Sequence, residues 1–222
     1  NLGYDLQEIE KRITSKTKMV FLCNPNNPTS TILPANTLQD FCASVSKRTI
    51  VFSDEAYYEY IEDPNYPSMI DLVKKGENVV VSKTFSKVYG MAGMRIGFLI
   101  AKPELAQTIR RNIVAMSNIF AIEGAKEALK DDEFYKFSLQ KNLEAKQIIY
   151  NTLDHLNLHY IKSSTNFIFF KSGKDINKLG KQMLTKGVKI GRAFPPFYDW
   201  CRISTGTLEE VEMFSKSLIT LY

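Results

Sequence analysis

Apolar residues follow two textures along this chain. In the first half, short unbroken apolar runs alternate with segments of helical period. Met19-Val20-Phe21-Leu22-Cys23, Thr49-Ile50-Val51-Phe52 and Asn78-Val79-Val80-Val81-Ser82 are rich in β-branched residues and stop at polar or Pro-rich loops, which predicts buried strands. Arg95 to Ala101, with Ile96, Phe98, Leu99 and Ile100, predicts a fourth strand. Leu6 to Ile13 and Pro34 to Lys47 predict helices, the latter with a proline suited to its first turn. Strands without polar alternation need cover on both faces, so the expected class is α/β.

The second half is mostly helical. Pro103 to Met116, Ala121 to Leu129 and Asp132 to Leu156 are rich in Ala, Lys, Glu and Leu. Asn166 to Phe170, Val188 to Ile190 and Cys201 to Ser204 predict strands, and Ile176 to Lys186 and Leu208 to Leu221 predict helices. This pattern implies a smaller α+β domain at residues 135–222, following a larger one at residues 1–134, with the long helix near 132–156 as connector.

Composition narrows the classes. Of 222 residues, 44% are hydrophobic and 24% charged, the balance of an ordinary globular protein. The net charge of +5 is spread along the chain rather than clustered, which argues against nucleic acid and fits an anionic small molecule. No apolar run approaches the ~18 residues of a membrane span. The opening NLGYDLQEIEKRIT lacks the basic-then-apolar order of a signal peptide, so a cytoplasmic protein away from membranes is expected. Three cysteines without a CxxC pair fit a reducing compartment. His155 and His159 lie four apart, but LNLHYIK alternates and offers no adjacent carboxylate, so no metal site is expected. Neither GxGxxG nor GxxxxGK[ST] occurs, which disfavours a nucleotide fold.

Four polar clusters fall at the predicted strand ends, where open α/β sheets bind ligands. Asn24-Pro25-Asn26-Asn27-Pro28-Thr29 is a stiff, amide-rich loop. Asp54-Glu55-Ala56-Tyr57 places a carboxylate at the end of a buried strand, suited to a cationic partner. Ser82-Lys83-Thr84-Phe85-Ser86-Lys87 combines hydroxyls and lysines at a strand end, which suits phosphate binding together with a reactive amine. Arg95, eight residues past Lys87, could fork onto phosphate oxygens. Taken singly, each cluster has an ordinary structural explanation in a turn or a helix cap.

Together, NPNNPT, DEAY, SKTFSKVYGMAGMRIGF and WCRISTGT, in that order, resemble the signatures of the class I/II pyridoxal-phosphate aminotransferases of fold type I, in their histidinol-phosphate aminotransferase-like branch. The resemblance implies a three-layer α/β large domain, incomplete at its N-terminus, plus a small α+β domain. It implies pyridoxal 5'-phosphate as cofactor, an amino donor and a 2-oxo acid acceptor as substrates, and a homodimer. Lys87 resembles the lysine that holds the cofactor covalently and moves the proton, and Asp54 the aspartate facing the pyridine nitrogen. Tyr57 and Asn27 resemble the pair on the cofactor's 3'-oxygen, and Thr84, Ser86 and Arg95 the phosphate anchors. Arg202 resembles the arginine for the substrate's anionic group, Asn166 an asparagine beside it, and Arg192 a second anionic contact.

Two departures qualify this. Ser30 stands where the family has a glycine, which predicts a local change in the turn. The family's chains are longer, and the part that completes the sheet, stacks on the cofactor ring and supplies further phosphate donors precedes the region matched here. The sequence is therefore expected to be a C-terminal part of a longer protein. A decarboxylase or lyase on the same fold, or a non-catalytic fragment, stays open at this level. The Asn27-Pro28 bond is expected to be cis.

Overall fold

The structure is a computed structural model that describes residues 2–222. The chain forms two compact units. One comprises the residues up to Asn26 together with Ile32–Asp132, and the other comprises Asn27–Thr31 together with Glu133–Tyr222.

The first unit is α/β. Strands β1 (Met19–Cys23), β2 (Ile50–Asp54), β3 (Val79–Thr84) and β4 (Gly97–Ala101) form one sheet in that order. β1, β2 and β3 run parallel, and β4 is antiparallel to β3. The register aligns Cys23 with Asp54 and Asp54 with Ser82, and Thr84 with Gly97. The beginning of β4 therefore lies at the same end of the sheet as the C-terminal ends of the three parallel strands. That end collects the polar clusters.

One sheet face is packed by α1 (Leu6–Lys11), α2 (Ala35–Val45) and α3 (Ile70–Lys74). Val20, Leu22, Val51, Val79 and Val81 meet Leu38, Phe41, Val45, Leu72 and Val73 there. The other face carries Phe21 stacked on Phe52 at 4.9 Å between ring centres, with Met19 (46%), Phe21 (55%) and Leu99 (45%) exposed. α4 (Pro103–Arg111) and α5 (Ile119–Ala128) complete the unit.

The second unit packs α6 (Asp132–His155), α7 (Ile176–Leu184) and α8 (Leu208–Ile219) on the antiparallel pair β5 (Phe167–Lys171) and β6 (Trp200–Ser204). Ile149, Leu153, Ile168, Phe170, Leu179, Met183, Cys201 and Leu218 are buried together. Thr207 and Glu210 cap α8 reciprocally, each side chain taking the other's backbone N–H. No helix among the described residues is long and apolar enough to cross a membrane.

Several expectations are corrected. Arg95 is not in a strand. It has φ 52° after a short 3₁₀ turn, and β4 begins at Gly97. Asn166 precedes β5 rather than opening it. Val188–Ile190 forms no strand, because the Val188 N–H is spent on the Met183 carbonyl at 3.0 Å, closing the end of α7. α4 stops at Arg111, short of Met116, and α3 forms where no element was expected. Ser30 takes φ 56° itself, so the turn keeps the left-handed backbone without glycine.

Candidate active site

Asp54 ends β2. Its Oδ1 accepts hydrogen bonds from the Ser82 hydroxyl (3.0 Å) and the Ala56 N–H (3.1 Å), which fix the carboxylate at the sheet end. The next residue, Glu55, is buried and serves a different purpose. It accepts from the Met69 N–H and the Ser68 hydroxyl, both at 2.7 Å, and pairs with Lys83 at 3.0 Å. Lys83 also pairs with Glu59 at 3.1 Å and sits 3.8 Å from the centre of the Tyr58 ring. Burial first, then Glu55 and Glu59, pushes the Tyr58 phenol above its ordinary range.

The motif's two lysines thus have separate fates. Lys83 is committed to a buried ion pair, where removing one partner would strand a charge. Lys87 has its ammonium 5.3 Å from the centre of the Tyr57 ring, and Tyr57 is itself buried just after β2. The Thr84 hydroxyl accepts from the Ser86 N–H (3.1 Å), shaping the turn between them. Gly97 lets β4 approach closely, since a Cβ there would lie 2.7 Å from the Lys83 carbonyl. The exposed Arg95 precedes it, with Nη1 donating to the Ala92 carbonyl at 2.8 Å. Asp54, Tyr57, Thr84, Ser86 and Lys87 are therefore gathered at one sheet end, and Arg95 leads into the strand that starts there.

The second unit holds the remaining candidates. Alternation along β6 turns Cys201 and Ile203 into the core and Arg202 to the other face. The Arg202 Nη1 donates to Asn27 Oδ1 at 2.7 Å, and its guanidinium lies 4.7 Å from the Phe194 ring centre and 5.1 Å from that of Phe167. Arg192 is exposed, 4.3 Å from the same Phe194 ring, and donates to the Ala193 carbonyl at 3.0 Å. The Asn166 carbonyl accepts from the N–H and the hydroxyl of Thr205, both at 2.9 Å. The Asn27 loop docks through the Ser164 N–H onto the Ser30 carbonyl at 3.3 Å. Asn27-Pro28 is cis, as expected, and so are Asn24-Pro25 and Pro195-Pro196.

Sequence reasoning missed the support behind this cluster. Asn142, Lys146 and Tyr150 recur every fourth residue on one face of α6. Lys146 is buried and donates to the Ser163 carbonyl (3.0 Å), the Tyr150 hydroxyl accepts from the Ser163 N–H (2.8 Å), and Asn142 Oδ1 accepts from the Thr205 hydroxyl (2.9 Å). The only available signal was a polar stripe of period four in a helix that is polar throughout. Phe194 was also missed, because nothing local marks a phenylalanine that two arginines will share.

The donor set of the first unit suits a cofactor with a cationic ring nitrogen, a reactive carbonyl and a phosphate. It offers a fixed carboxylate, a lysine amine, and hydroxyls with a guanidinium. Among curated proteins, the chain is 36% identical to histidinol-phosphate aminotransferase of Moorella thermoacetica over 98% of its length and 57% of that protein's. It is 36% identical to that of Caldicellulosiruptor saccharolyticus over 98% of its length and 62% of the relative's. The chain thus spans about six tenths of the length of the curated relatives it matches. Among solved structures, histidinol-phosphate aminotransferase from Sinorhizobium meliloti in complex with pyridoxal-5'-phosphate superposes with a TM-score of 0.83 at 28% identity, covering 98% of this chain and 61% of that one. The family model for aminotransferase class I and II matches residues 1–218, and with these relatives it establishes that the chain belongs to that family.

Proposed function

We propose that the complete protein is a pyridoxal-phosphate-dependent aminotransferase, moving an amino group from an amino acid or a histidinol-phosphate-like amine to a 2-oxo acid. The observation that carries this reading is the grouping of Asp54, Tyr57, Thr84, Ser86 and Lys87 at one end of the first unit's sheet, with the neighbouring Lys83 withdrawn into its own ion pair. When bound, pyridoxal phosphate supplies an electrophilic carbonyl and an electron-accepting ring. Asp54 would meet the ring nitrogen as a charge partner, its carboxylate oriented by Ser82 and Ala56. Tyr57, with Asn27, would hydrogen-bond the ring oxygen. Thr84, Ser86 and Arg95 would take the phosphate. Lys87 would hold the cofactor through its amine and, once released, carry the proton to and from the substrate's α-carbon. Arg202 would bind the substrate's anionic group as a planar fork, with Asn166 and Arg192 beside it.

In this reading residues 1–134 belong to the large cofactor-binding domain and residues 135–222 form the small domain. The working unit is a cytoplasmic homodimer. The apolar stretch with Ile113, Val114, Met116, Ile119 and Phe120 exposed supports a further covering surface. A monomer in light scattering that is fully active would remove the dimer. The test of function is the full-length protein with pyridoxal phosphate, 2-oxoglutarate and a panel of amino donors. Glutamate formed with at least one donor is the expected result, and none with any donor overturns the reading.

A further inference from the structure

We propose that Tyr66 is a positioning residue: its phenol closes the loop at residues 24–33 and so sets the seat of Asn27 for the cofactor's ring oxygen. This deepens the cofactor site of the reading above and rests on it. Three buried residues form a closed triangle of hydrogen bonds. The Tyr66 hydroxyl donates to the Leu33 carbonyl at 2.7 Å and accepts from Asn24 Nδ2 at 2.8 Å, and the Leu33 N–H donates to Asn24 Oδ1 at 2.8 Å. Asn24 and Leu33 are the two ends of the loop, and Asn27 lies between them in the chain. The Asn24 N–H also donates to the Asp54 carbonyl at 3.0 Å, so the same closure is tied to the residue that carries the site's carboxylate.

Local sequence brings the phenol there. In Asp63-Pro64-Asn65-Tyr66-Pro67, the Asp63 carboxylate accepts from the Asn65 N–H (2.9 Å) and the Asp63 carbonyl from the Tyr66 N–H (3.1 Å), which makes a turn. Pro67 favours extended backbone at the residue before it. The Tyr66 carbonyl accepts from the Tyr58 hydroxyl at 2.7 Å, and Tyr58 lies against Lys83 of the buried ion pair. Burial pushes the Tyr66 phenol up to about 12, against the lowering effect of Asn24, so it stays protonated as a donor near neutral pH. A phenylalanine would fill the same space but take this oxygen from a buried carbonyl and a buried amide, and water does not replace it there.

The test uses full-length protein in two forms. In the form loaded with pyridoxal phosphate, the absorbance of the bound cofactor is followed against pH. A donor on the ring oxygen favours the form with more negative charge there, so losing its alignment moves the midpoint up. Y66F is expected to raise that midpoint by about half a pH unit or more and to weaken cofactor binding about tenfold. Y58F removes a neighbouring hydroxyl but leaves the triangle intact, and should keep the midpoint within about 0.2 unit of wild type. In the cofactor-free form, hydrogen exchange of the 24–33 amides should be about tenfold faster in Y66F and within about threefold of wild type in Y58F. An unmoved midpoint in Y66F, or an equal shift in Y58F, would overturn the proposal. If Y66F does not fold, N24A, which breaks the triangle from its other side, decides it by the same thresholds. A wild type that transaminates while Y66F keeps both midpoint and exchange refutes the inference alone. A wild type that binds no cofactor and transaminates no donor, with faster loop exchange in Y66F, refutes the reading of function and leaves the loop closure standing.

Discussion

In the first unit, the charged groups at the sheet end are held by neighbours close in sequence, on the adjoining strand or just beyond it. Asp54 is fixed by Ser82 on β3 and by Ala56 two residues on, and Lys83 by Glu55 and Glu59, which follow the end of β2. In the second unit, Arg202 meets Asn27 across 175 residues of sequence and leans on aromatic rings from two other segments. The first arrangement is built from hydrogen bonds and ion pairs that adjoining strands bring together. The second depends on a distant loop and a turn arriving together, so its geometry is as good as the packing behind them. This difference separates residues whose loss should stop chemistry or unfold the sheet from residues whose loss should tune binding.

The sharpest way to break the comparison is to remove one lysine of the first unit at a time. Lys87→Ala in the full-length enzyme should lower turnover at least a thousandfold, about 4 kcal/mol, with the folded state intact. A Lys87→Ala enzyme with near-normal turnover would return the role to another amine. Lys83→Met should act in the opposite sense. It strands the buried Glu55 and the partly buried Glu59, and urea unfolding should show a loss of about 3–4 kcal/mol. A stable Lys83→Met would mean that the pair is not a structural clamp.

In the second unit the expected effects are smaller. Arg202→Lys should weaken substrate binding by about 1–3 kcal/mol, seen in KM, and leave the cofactor bound, because a lysine cannot reproduce the planar fork. If that variant lost the cofactor and kept its substrate affinity, Arg202 would belong to the cofactor's surroundings.

The smallest effect compares one buried thiol from each unit. Burial pushes Cys42 and Cys201 from the ordinary thiol value of 9.0 up to about 12, with Glu55 adding to the first and Arg202 partly opposing the second. The unfolded chain releases these protons near pH 9 and the folded chain keeps them, so the unfolded state binds fewer protons and stability falls as pH rises above 9. Each thiol should cost about 1.4 kcal/mol at pH 10 relative to pH 8. Urea midpoints of Cys42→Ala and Cys201→Ala against wild type at the two pH values measure it, and an unchanged pH slope in both would contradict the assignment.

Much of the first unit was legible because it is written in contiguous stretches. The run Val79-Val80-Val81 is buried on both sides, which is why it reads as a strand without alternation. Asp54 and Lys87 stood out only as members of polar clusters that follow such runs, and their roles came from the resemblance of the motifs around them. Arg95 was found but assigned to a strand. A turn that places a non-glycine residue at φ 52° has no local period to reveal it, and Gly97 shows its purpose only once the Lys83 carbonyl is beside it. The strand expected at Val188–Ile190 failed because local β-propensity does not say where a backbone N–H will be spent.

By itself the sequence determined the α/β order, the strand ends that carry the polar clusters, and the family to which those clusters belong. These follow from local periodicity and from residues adjacent in the chain. Only the tertiary structure decided which lysine of SKTFSK is buried against carboxylates and which lies beside Tyr57. It alone brought Asn27 to Arg202, put Lys146 behind the turn before β5, and laid two arginines on Phe194. The physical reason is the same for each. A side chain's partner across tens of residues is set by which surfaces pack together, and packing is a property of the folded chain that no short stretch of sequence encodes.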